Sequence, residues 1–166
     1  MKRIFVRIEH CTGCHTCELA CAVEHSVSKE LVAASMEADR PKKRLFVESI
    51  PTQPVPIVCR HCDDAPCLNA CISGALWRDD RGAVRGKEDK CIGCWTCIMV
   101  CPYGVIGRQE RGGKGLAAKC DLCDDRESPA CVDSCPTRAL VFSEADDFAS
   151  TRRRQVGVAL APSRER

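Results

Sequence analysis

The sequence predicts an α+β fold of short strands and short helices connected by long loops, and three observations support this prediction. Sixteen of the 166 residues are cysteine, and they form four groups of four. Short segments in which apolar and charged residues alternate, such as residues 4–8, lie next to these groups. The hydrophobic fraction of 45% falls to roughly 36% when the cysteines are assigned as ligands, which is below the usual globular range. We therefore expect a thin apolar core and a fold built around bound groups.

The four cysteine groups have closely related spacings. The first and third follow C-x2-C-x2-C-x3-C, whereas the second and fourth keep the outer C-x2-C and C-x3-C but have a longer middle gap. Three cysteines at a three-residue pitch let one loop wrap a face of a 4Fe-4S cube, and in bacterial two-cluster proteins the fourth cysteine of a run binds the other cluster. Four runs therefore predict two pairs of runs and four 4Fe-4S clusters. The sixteen predicted metal ligands are Cys11, Cys14, Cys17, Cys21, Cys59, Cys62, Cys67, Cys71, Cys91, Cys94, Cys97, Cys101, Cys120, Cys123, Cys131 and Cys135.

Zinc and disulfide bonds are the alternative uses of so many cysteines. Zinc sites usually combine C-x2-C pairs from separate segments, and a third cysteine three residues further on has no place in them. A disulfide framework needs an oxidising compartment, and disulfide-dense secreted domains are usually smaller than this chain. The first predicted ligand, Cys11, follows a charged opening segment that leaves no room for an export signal. We therefore expect a cytoplasmic protein, and since no apolar stretch approaches roughly 18 residues, no membrane span.

Short elements are predicted around each cysteine group, in the order strand, cluster-binding loop, helix and returning strand. This order recurs along the chain, which predicts an internal repeat rather than two unrelated domains. Strands are predicted at residues 4–8, 45–50 and 139–142, and hairpins at residues 77–84 and 105–116. Helices are predicted at residues 17–25, 29–37, 66–72 and 129–134.

The cysteine-free C-terminal segment forms a separate predicted unit. Ser143 is followed by acidic residues that suit the first turn of a helix, so Ser143 is predicted to cap it. The predicted organisation is therefore a four-cluster domain over residues 1–142, made of two intertwined two-cluster modules. Residues 143–166 form a helix and tail that are a candidate docking segment.

The charge balance gives little reason to expect a nucleic-acid partner. The formal net charge is +2, and four clusters with their thiolates add about −8 to it. The basic segments at residues 40–44 and 152–154 are interpreted as solvated surface that offsets this charge. Their functional interpretation is docking to an acidic face of a protein partner.

The order of the cysteine motifs resembles a known family. The segment that begins C-R-H-C-D-D-A-P-C at Cys59, the run from Cys91 to Pro102 and the K-C-D-L-C segment at Lys119 are similar to those of four-cluster ferredoxin-type electron-transfer subunits. Such subunits accompany dimethyl sulfoxide reductase-type molybdenum enzymes and related oxidoreductases. The stretch from Cys17 to Lys29 most resembles the branch that serves tungsten aldehyde oxidoreductase or carbon monoxide dehydrogenase.

The resemblance implies a duplicated bacterial ferredoxin-like fold and a particular pairing of the runs. The first run pairs with the fourth and the second with the third, so that each run supplies three ligands to one cluster and its last cysteine to the partner's cluster. Spacing alone equally allows the first run to pair with the second and the third with the fourth. His61, which lies inside the second run, is interpreted as a hydrogen-bond donor to a cluster sulfur, which would raise the potential of that cluster.

The resemblance also implies a function. We expect a non-catalytic subunit that relays electrons between a catalytic subunit and an acceptor such as a flavin or NAD subunit. The catalytic partner is expected to be a tungsten aldehyde oxidoreductase; the alternatives are a molybdenum-pterin enzyme, a nickel-containing carbon monoxide dehydrogenase or hydrogenase, and a free polyferredoxin. Copies of the chain are also candidates for end-to-end stacking. The glycines near residue 110 form no dinucleotide fingerprint, so we expect no catalytic residue and no cofactor ligand beyond the cysteines.

Overall fold

A computed structural model describes residues 1–161 of the chain. It is a small α+β structure of short elements joined by long loops, compatible with a ferredoxin-like 4Fe-4S domain. The strands are β1 (Arg3–Val6), β2 (Phe46–Ser49), β3 (Pro54–Ile57), β4 (Leu76–Arg78), β5 (Val84–Gly86), β6 (Gly107–Arg111), β7 (Lys114–Ala118) and β8 (Leu140–Ser143). The helices are α1 (Thr16–Glu24), α2 (Leu31–Met36), α3 (Pro66–Asn69), α4 (Thr96–Met99), α5 (Ala130–Asp133) and α6 (Ala145–Leu160).

Within residues 1–161 the strands pair into four two-stranded antiparallel sheets. Three of them join consecutive strands, namely β2 with β3, β4 with β5 and β6 with β7. The fourth joins the two ends of the cysteine-containing region, because β1 pairs with β8 with Arg3 opposite Ser143 and Val6 opposite Leu140. This pairing brings the first and fourth cysteine runs to the same side of the molecule.

The predicted strands, hairpins and helices are present, and most of their bounds shift by a few residues. The first strand ends at Val6, and Ile8–His10 form a short 3-10 turn that leads to Cys11. The second glycine-tipped hairpin lies two residues later than predicted, at β6 and β7. The predicted helix over residues 29–37 is the shorter α2.

The predicted capping role of Ser143 is wrong. Ser143 is the last residue of β8 and pairs with Arg3 in the strand ladder, so its backbone belongs to the sheet. The N-cap of α6 is Glu144, and its carboxylate accepts a hydrogen bond from the nitrogen of Met1 at 2.6 Å instead of capping the helix. The helix is anchored by Phe148, whose ring stacks on Phe5 with the ring centroids 4.5 Å apart. The predicted tail beyond residue 161 lies outside the described residues.

The cysteines form part of both apolar clusters in the interior. The larger cluster joins Ile4, Leu45, Val47, Val58 and Leu140 to Cys17, Cys21 and Cys131. The smaller cluster consists of Leu76, Ile106 and Cys97, with further cysteines packed against it. The interior is therefore organised around sulfur atoms, as the thin apolar core of the sequence predicts. Among residues 1–161, no helix is long and apolar enough to cross a membrane.

Candidate metal centres

The second and third cysteine runs meet at two cavities. One cavity is lined by Cys91, Cys94 and Cys97 of the third run together with Cys71, the last cysteine of the second run. The other is lined by Cys59, Cys62 and Cys67 of the second run together with Cys101, the last cysteine of the third. The structure thus brings three cysteines of one run and the last cysteine of the other to each cavity.

The first and fourth runs meet between α1 and α5. Burial raises the pKa of Cys17 to about 11, and the nearby thiolates of Cys135 and Cys14 shift it in the same direction. Burial also raises the pKa of Cys131, with further contributions from the thiolates of Cys120, Cys21 and Cys123. Cys11 packs against the same apolar cluster. Cys21, the last cysteine of the first run, therefore lies near Cys120, Cys123 and Cys131, and Cys135, the last cysteine of the fourth run, lies near Cys17.

Buried thiols that lie close together resist ionisation. Their pKa values therefore show whether the sites need a positively charged group such as a cluster core. Burial raises the pKa of Cys21 to about 12 and that of Cys97 to about 11, and the neighbouring thiolates of Cys91 and Cys71 add to the shift at Cys97. Thiolates become stable in such groups when a positively charged core lies between them. Four-cysteine groups with this property fit a 4Fe-4S cluster, whose ligands are thiolates. Within residues 1–161 none of the cysteines forms a disulfide bond.

Backbone N–H groups donate to the sulfur of three of the four last cysteines. Arg44 donates to Cys21 Sγ at 3.3 Å, Leu76 to Cys71 Sγ at 3.4 Å and Ala139 to Cys135 Sγ at 3.2 Å. Burial would raise the pKa of Cys71, but the hydrogen bonds from Leu76 and Ser73 bring it below its ordinary value. Hydrogen bonds of this kind stabilise the charged form of a ligand and fix its orientation.

The loops of the first and third runs have the same local conformation. Gly13 and Gly93 have φ angles of 70° and 68°, and the residues two positions later, His15 and Trp95, have φ angles of 58° and 63°. These left-handed residues turn each loop so that the next residue begins a helix, α1 or α4. A Cβ at Gly93 would lie 2.7 Å from the carbonyl oxygen of Gly115, so only glycine fits there.

Two sites reach the surface through one cysteine each. Cys14 and Cys94 are exposed, and in both the hydroxyl two residues later, of Thr16 or Thr96, donates to the sulfur and lowers the pKa of the thiol. The surfaces around these two cysteines differ in character. The cleft at Cys14 contains Lys42 and Lys43, and we call this cleft the basic end. Near Cys94, the exposed apolar residues are Ile92, which lines the same cavity, Ile72 and Met99. We call this surface the apolar end.

An ion-paired network borders the sites of the first and fourth runs. Asp121 accepts hydrogen bonds from Arg44 at 2.5 Å and from the backbone N–H of Cys123 at 3.0 Å, and it pairs with His25 at 3.1 Å. Burial would raise the pKa of Asp121, but the His25 and Arg44 side chains hold it well below its usual range. His25, Asp121 and Cys123 have potential metal-binding atoms within 4.8 Å of one another. Because Arg44 already occupies the carboxylate, this group is a supporting network around Cys21.

A second polar group lies at the site of the second run. The Lys119 side chain is buried, and its Nζ donates to Cys59 Sγ at 3.4 Å and to the carbonyl oxygen of Cys120 at 3.2 Å. His61 is also buried and lines the same cavity as Cys59. Burial and, to a smaller extent, the charge of Lys119 together lower the pKa of His61 to about 3. His61 is therefore neutral at physiological pH.

Sequence reasoning found the cysteines and His61 but missed Lys119, Arg44 and Asp121. Lys119 and Asp121 flank Cys120 directly, and a charged residue next to a predicted ligand is a sequence feature that could have indicated their role. Arg44 lies 23 residues after Cys21, and no local pattern connects residues so far apart. Its contact with Cys21 depends on how the loop between α2 and β2 returns to α1.

A family model described as a 4Fe-4S dicluster domain matches residues 50–145, which is more than half of the chain. The chain belongs to this family. Its curated relatives include an iron-sulfur protein of Rhodospirillum rubrum, 41% identical over 87% of this chain and 83% of the relative.

Two other relatives of this 4Fe-4S dicluster protein have names that state a role. The electron transport protein HydN of Escherichia coli strain K12 is 37% identical over 89% of this chain and 93% of its own length. The thiosulfate reductase electron transfer subunit PhsB of Salmonella typhi is 36% identical over 84% of this chain and 73% of its own length. These similarities support an electron-transfer role for the 4Fe-4S dicluster protein.

Proposed function

We propose that the chain is a subunit that relays electrons through four 4Fe-4S clusters between a catalytic oxidoreductase subunit and an electron acceptor. The observation that carries this proposal is that each of two cavities is lined by three cysteines of one run and the last cysteine of another run, while Cys14 and Cys94 are exposed. A relay needs carriers close enough to exchange electrons and an exposed carrier at each end. The exposed Cys14 and Cys94 suit the second requirement.

The proposed ligand sets follow the proximities in the structure. Each set takes three cysteines from one run and one from its partner run, and we name the sites I to IV after the run that supplies three ligands. Site I is Cys11, Cys14, Cys17 and Cys135; site II is Cys59, Cys62, Cys67 and Cys101; site III is Cys91, Cys94, Cys97 and Cys71; site IV is Cys120, Cys123, Cys131 and Cys21. The resulting two-site modules support the duplicated fold that the resemblance implies.

The order of the four sites follows from their shared residues. Sites I and IV exchange their last cysteines, as do sites II and III, so each of these pairs is adjacent. The two pairs meet at Lys119, which contacts Cys59 of site II and Cys120 of site IV. The proposed relay therefore runs from site I through sites IV and II to site III.

The chain's own residues hold and tune the carriers and do not act on a substrate. A 4Fe-4S cluster supplies one-electron chemistry, and its potential depends on hydrogen bonds to sulfur and on solvent exposure. Buried cysteines and apolar side chains exclude water from the inner sites, and backbone N–H groups donate to Cys21, Cys71 and Cys135. Four thiolates per cluster leave no iron open to a substrate, so we propose that catalysis belongs to another chain.

We also propose which class of enzyme the catalytic partner belongs to. The segment from Cys17 to Lys29 favours a tungsten aldehyde oxidoreductase that passes electrons to a flavin or NAD subunit. One alternative partner is a carbon monoxide dehydrogenase or hydrogenase. The other alternative is that the chain is a free polyferredoxin. The basic end suits an acidic partner face, whereas the apolar end suits a permanent subunit contact. We place the assembly in a reducing compartment, the cytoplasm, because sixteen thiols must stay unoxidised before they bind iron.

A metal inventory tests both the relay and the partner. The tagged protein is purified without oxygen together with whatever remains bound, and its metals are counted by mass spectrometry. About sixteen irons per chain with tungsten supports the aldehyde oxidoreductase, nickel supports carbon monoxide dehydrogenase or hydrogenase, and molybdenum supports a molybdenum-pterin enzyme. Iron alone in a monomer supports the free carrier, and iron alone in a larger assembly of this chain supports end-to-end stacking. Zinc without iron refutes the relay.

The proposed pairing of runs needs a separate test. Substitution of Cys135 by Ser should change the same electron paramagnetic resonance signal as substitution of Cys14 by Ser, because both residues belong to site I. Substitution of Cys71 by Ser is the matched control, since it removes the last cysteine of a run from site III. If Cys71→Ser changes the signal of Cys14→Ser instead, the first run pairs with the second and the proposed ligand sets are wrong.

A further inference from the structure

Lys119 carries a buried positive charge and forms no ion pair with a carboxylate among the described residues. Its side chain has an exposed fraction of only 4%. Its Nζ donates to the carbonyl oxygen of Val84 at 2.6 Å, to the carbonyl oxygen of Cys120 at 3.2 Å and to Cys59 Sγ at 3.4 Å. A buried ammonium group is stable only when an opposite charge lies nearby. Of these three acceptors only the sulfur of Cys59 can carry a negative charge.

His61 supplies a second donor to the same cavity. Its exposed fraction is 2%, and its Nδ1 accepts a hydrogen bond from the backbone N–H of Val84 at 3.1 Å. An imidazole that accepts at Nδ1 carries its proton on Nε2. Nε2 is buried and has no hydrogen-bond partner within residues 1–161. Because a buried donor without an acceptor costs free energy, the group that fills the cavity of Cys59 must supply the acceptor.

Lys119 meets the two inner sites in different ways. At site IV it reaches only the backbone carbonyl oxygen of Cys120, and the other cation there, Arg44, is balanced by the carboxylate of Asp121. Lys119 has no ion-pair partner in the described part of the chain, and the cysteine sulfur to which its Nζ donates is Cys59 Sγ of site II. The two inner sites therefore differ in their electrostatic surroundings although their cysteine ligands are the same.

We propose that Lys119 and His61 raise the reduction potential of the cluster at site II, so that this cluster is reduced in preference to the other clusters of the relay. This inference rests on the ligand sets proposed above. Reduction adds one electron to the cluster, and no bond forms or breaks. The cluster with its thiolates becomes more negative by one charge, and the ammonium of Lys119 and the N–H of His61 stabilise that charge.

A redox titration of the four-cluster protein, followed by electron paramagnetic resonance, tests the inference. Lys119→Met keeps the length of the side chain and removes its charge, so one midpoint should fall by about 59 mV or more, which is a tenfold change in the equilibrium constant for a one-electron couple. Lys119→Arg keeps the charge and should retain most of the potential. Lys114→Met removes an exposed charge from β7, the strand that ends one residue before Lys119, and is the matched control. An equal shift in Lys114→Met, or an unchanged midpoint in Lys119→Met, overturns the inference.

His61→Phe keeps a flat ring and removes the donor, so it should lower the same midpoint. This variant decides the matter if Lys119→Met fails to bind its iron: a lowered midpoint supports the inference, and an unchanged one overturns it. Cys59→Ser identifies the midpoint, because it should change the signal of the cluster that these variants shift. If Cys59→Ser changes a different signal, or the unmodified protein holds fewer than four clusters, the proposed ligand sets fail. Four clusters with unshifted midpoints overturn only the role of Lys119 and His61.

Discussion

Arg85 and Arg81 offer a direct comparison between a buried and an exposed cation that share the same partners. Arg85 donates to Asp79 at 2.6 Å and to Asp124 at 2.7 Å, and it thereby ties the hairpin of β4 and β5 to the loop of the fourth cysteine run. Arg81 contacts the same two carboxylates. The exposed fraction of the side chain is 9% for Arg85 and 65% for Arg81. Substitution of each by Met therefore separates the effect of burial from that of partner identity.

The expected cost of Arg85→Met follows from the burial of Asp79. Removing one partner of a buried ion pair costs about 3–5 kcal/mol, because the other charge stays buried. Asp79 keeps a hydrogen bond from the backbone N–H of Ala83 at 2.7 Å and its ion pair with Arg81, so the lower end of that range applies. The contact with the half-exposed Asp124 adds at most about 1 kcal/mol. The local stability of the hairpin should therefore fall by about 3 kcal/mol for Arg85→Met and by less than about 1 kcal/mol for Arg81→Met.

Hydrogen exchange of the hairpin amides, measured by mass spectrometry on the cluster-loaded protein, reports this difference. A loss of about 3 kcal/mol corresponds to roughly 150-fold faster exchange, whereas about 1 kcal/mol gives roughly fivefold. Burial raises the pKa of Asp79, but the hydrogen bonds from Ala83 and Arg85 bring it below its ordinary value. The stabilisation is therefore complete above the unfolded pKa of about 4 and is lost as the pH falls below it. The effect of Arg85→Met should be constant between about pH 6 and 8, and equal effects of the two substitutions would refute the reasoning.

Three further predictions concern the loops, the C-terminal helix and the metal. Gly93→Ala should remove about four irons per chain, because its Cβ would meet the carbonyl oxygen of Gly115 at 2.7 Å; Gly104→Ala, also at positive φ but with no atom within 4 Å, should keep its iron, and equal losses would contradict this. Phe148→Ala should destabilise the docking of α6 by about 1–2 kcal/mol because it loses the stacking on Phe5, and unchanged trypsin cleavage within α6 would exclude this. Removal of iron by a chelator under reducing conditions should abolish most of the far-UV circular dichroism, because the interior is built around the ligands; a native-like spectrum of the iron-free chain would count against it.

The local features of the fold were predictable from local sequence patterns. Alternation predicted β1, glycines predicted both hairpin turns, and cysteine spacing predicted where the loops turn into short helices. The capping role of Ser143 failed as a local prediction. It failed because β1, far away in the sequence, pairs with β8 and draws Ser143 into the ladder. A cap motif competes with strand pairing, and a local pattern contains no information about the distant strand.

The sequence by itself determined the number of cysteines, their grouping and hence the chemistry of the sites, because a three-residue ligand pitch is a property of a short segment. Which runs lie together was decided by the tertiary structure, since spacing allowed two pairings and the contacts of β1 with β8 and of α1 with α5 are long-range. The tertiary structure also decided that Lys119 is buried against Cys59 and that Cys14 and Cys94 are exposed. Burial and charge environment depend on every segment that packs around a residue, and they set the electrostatics of a site whose ligands are all the same.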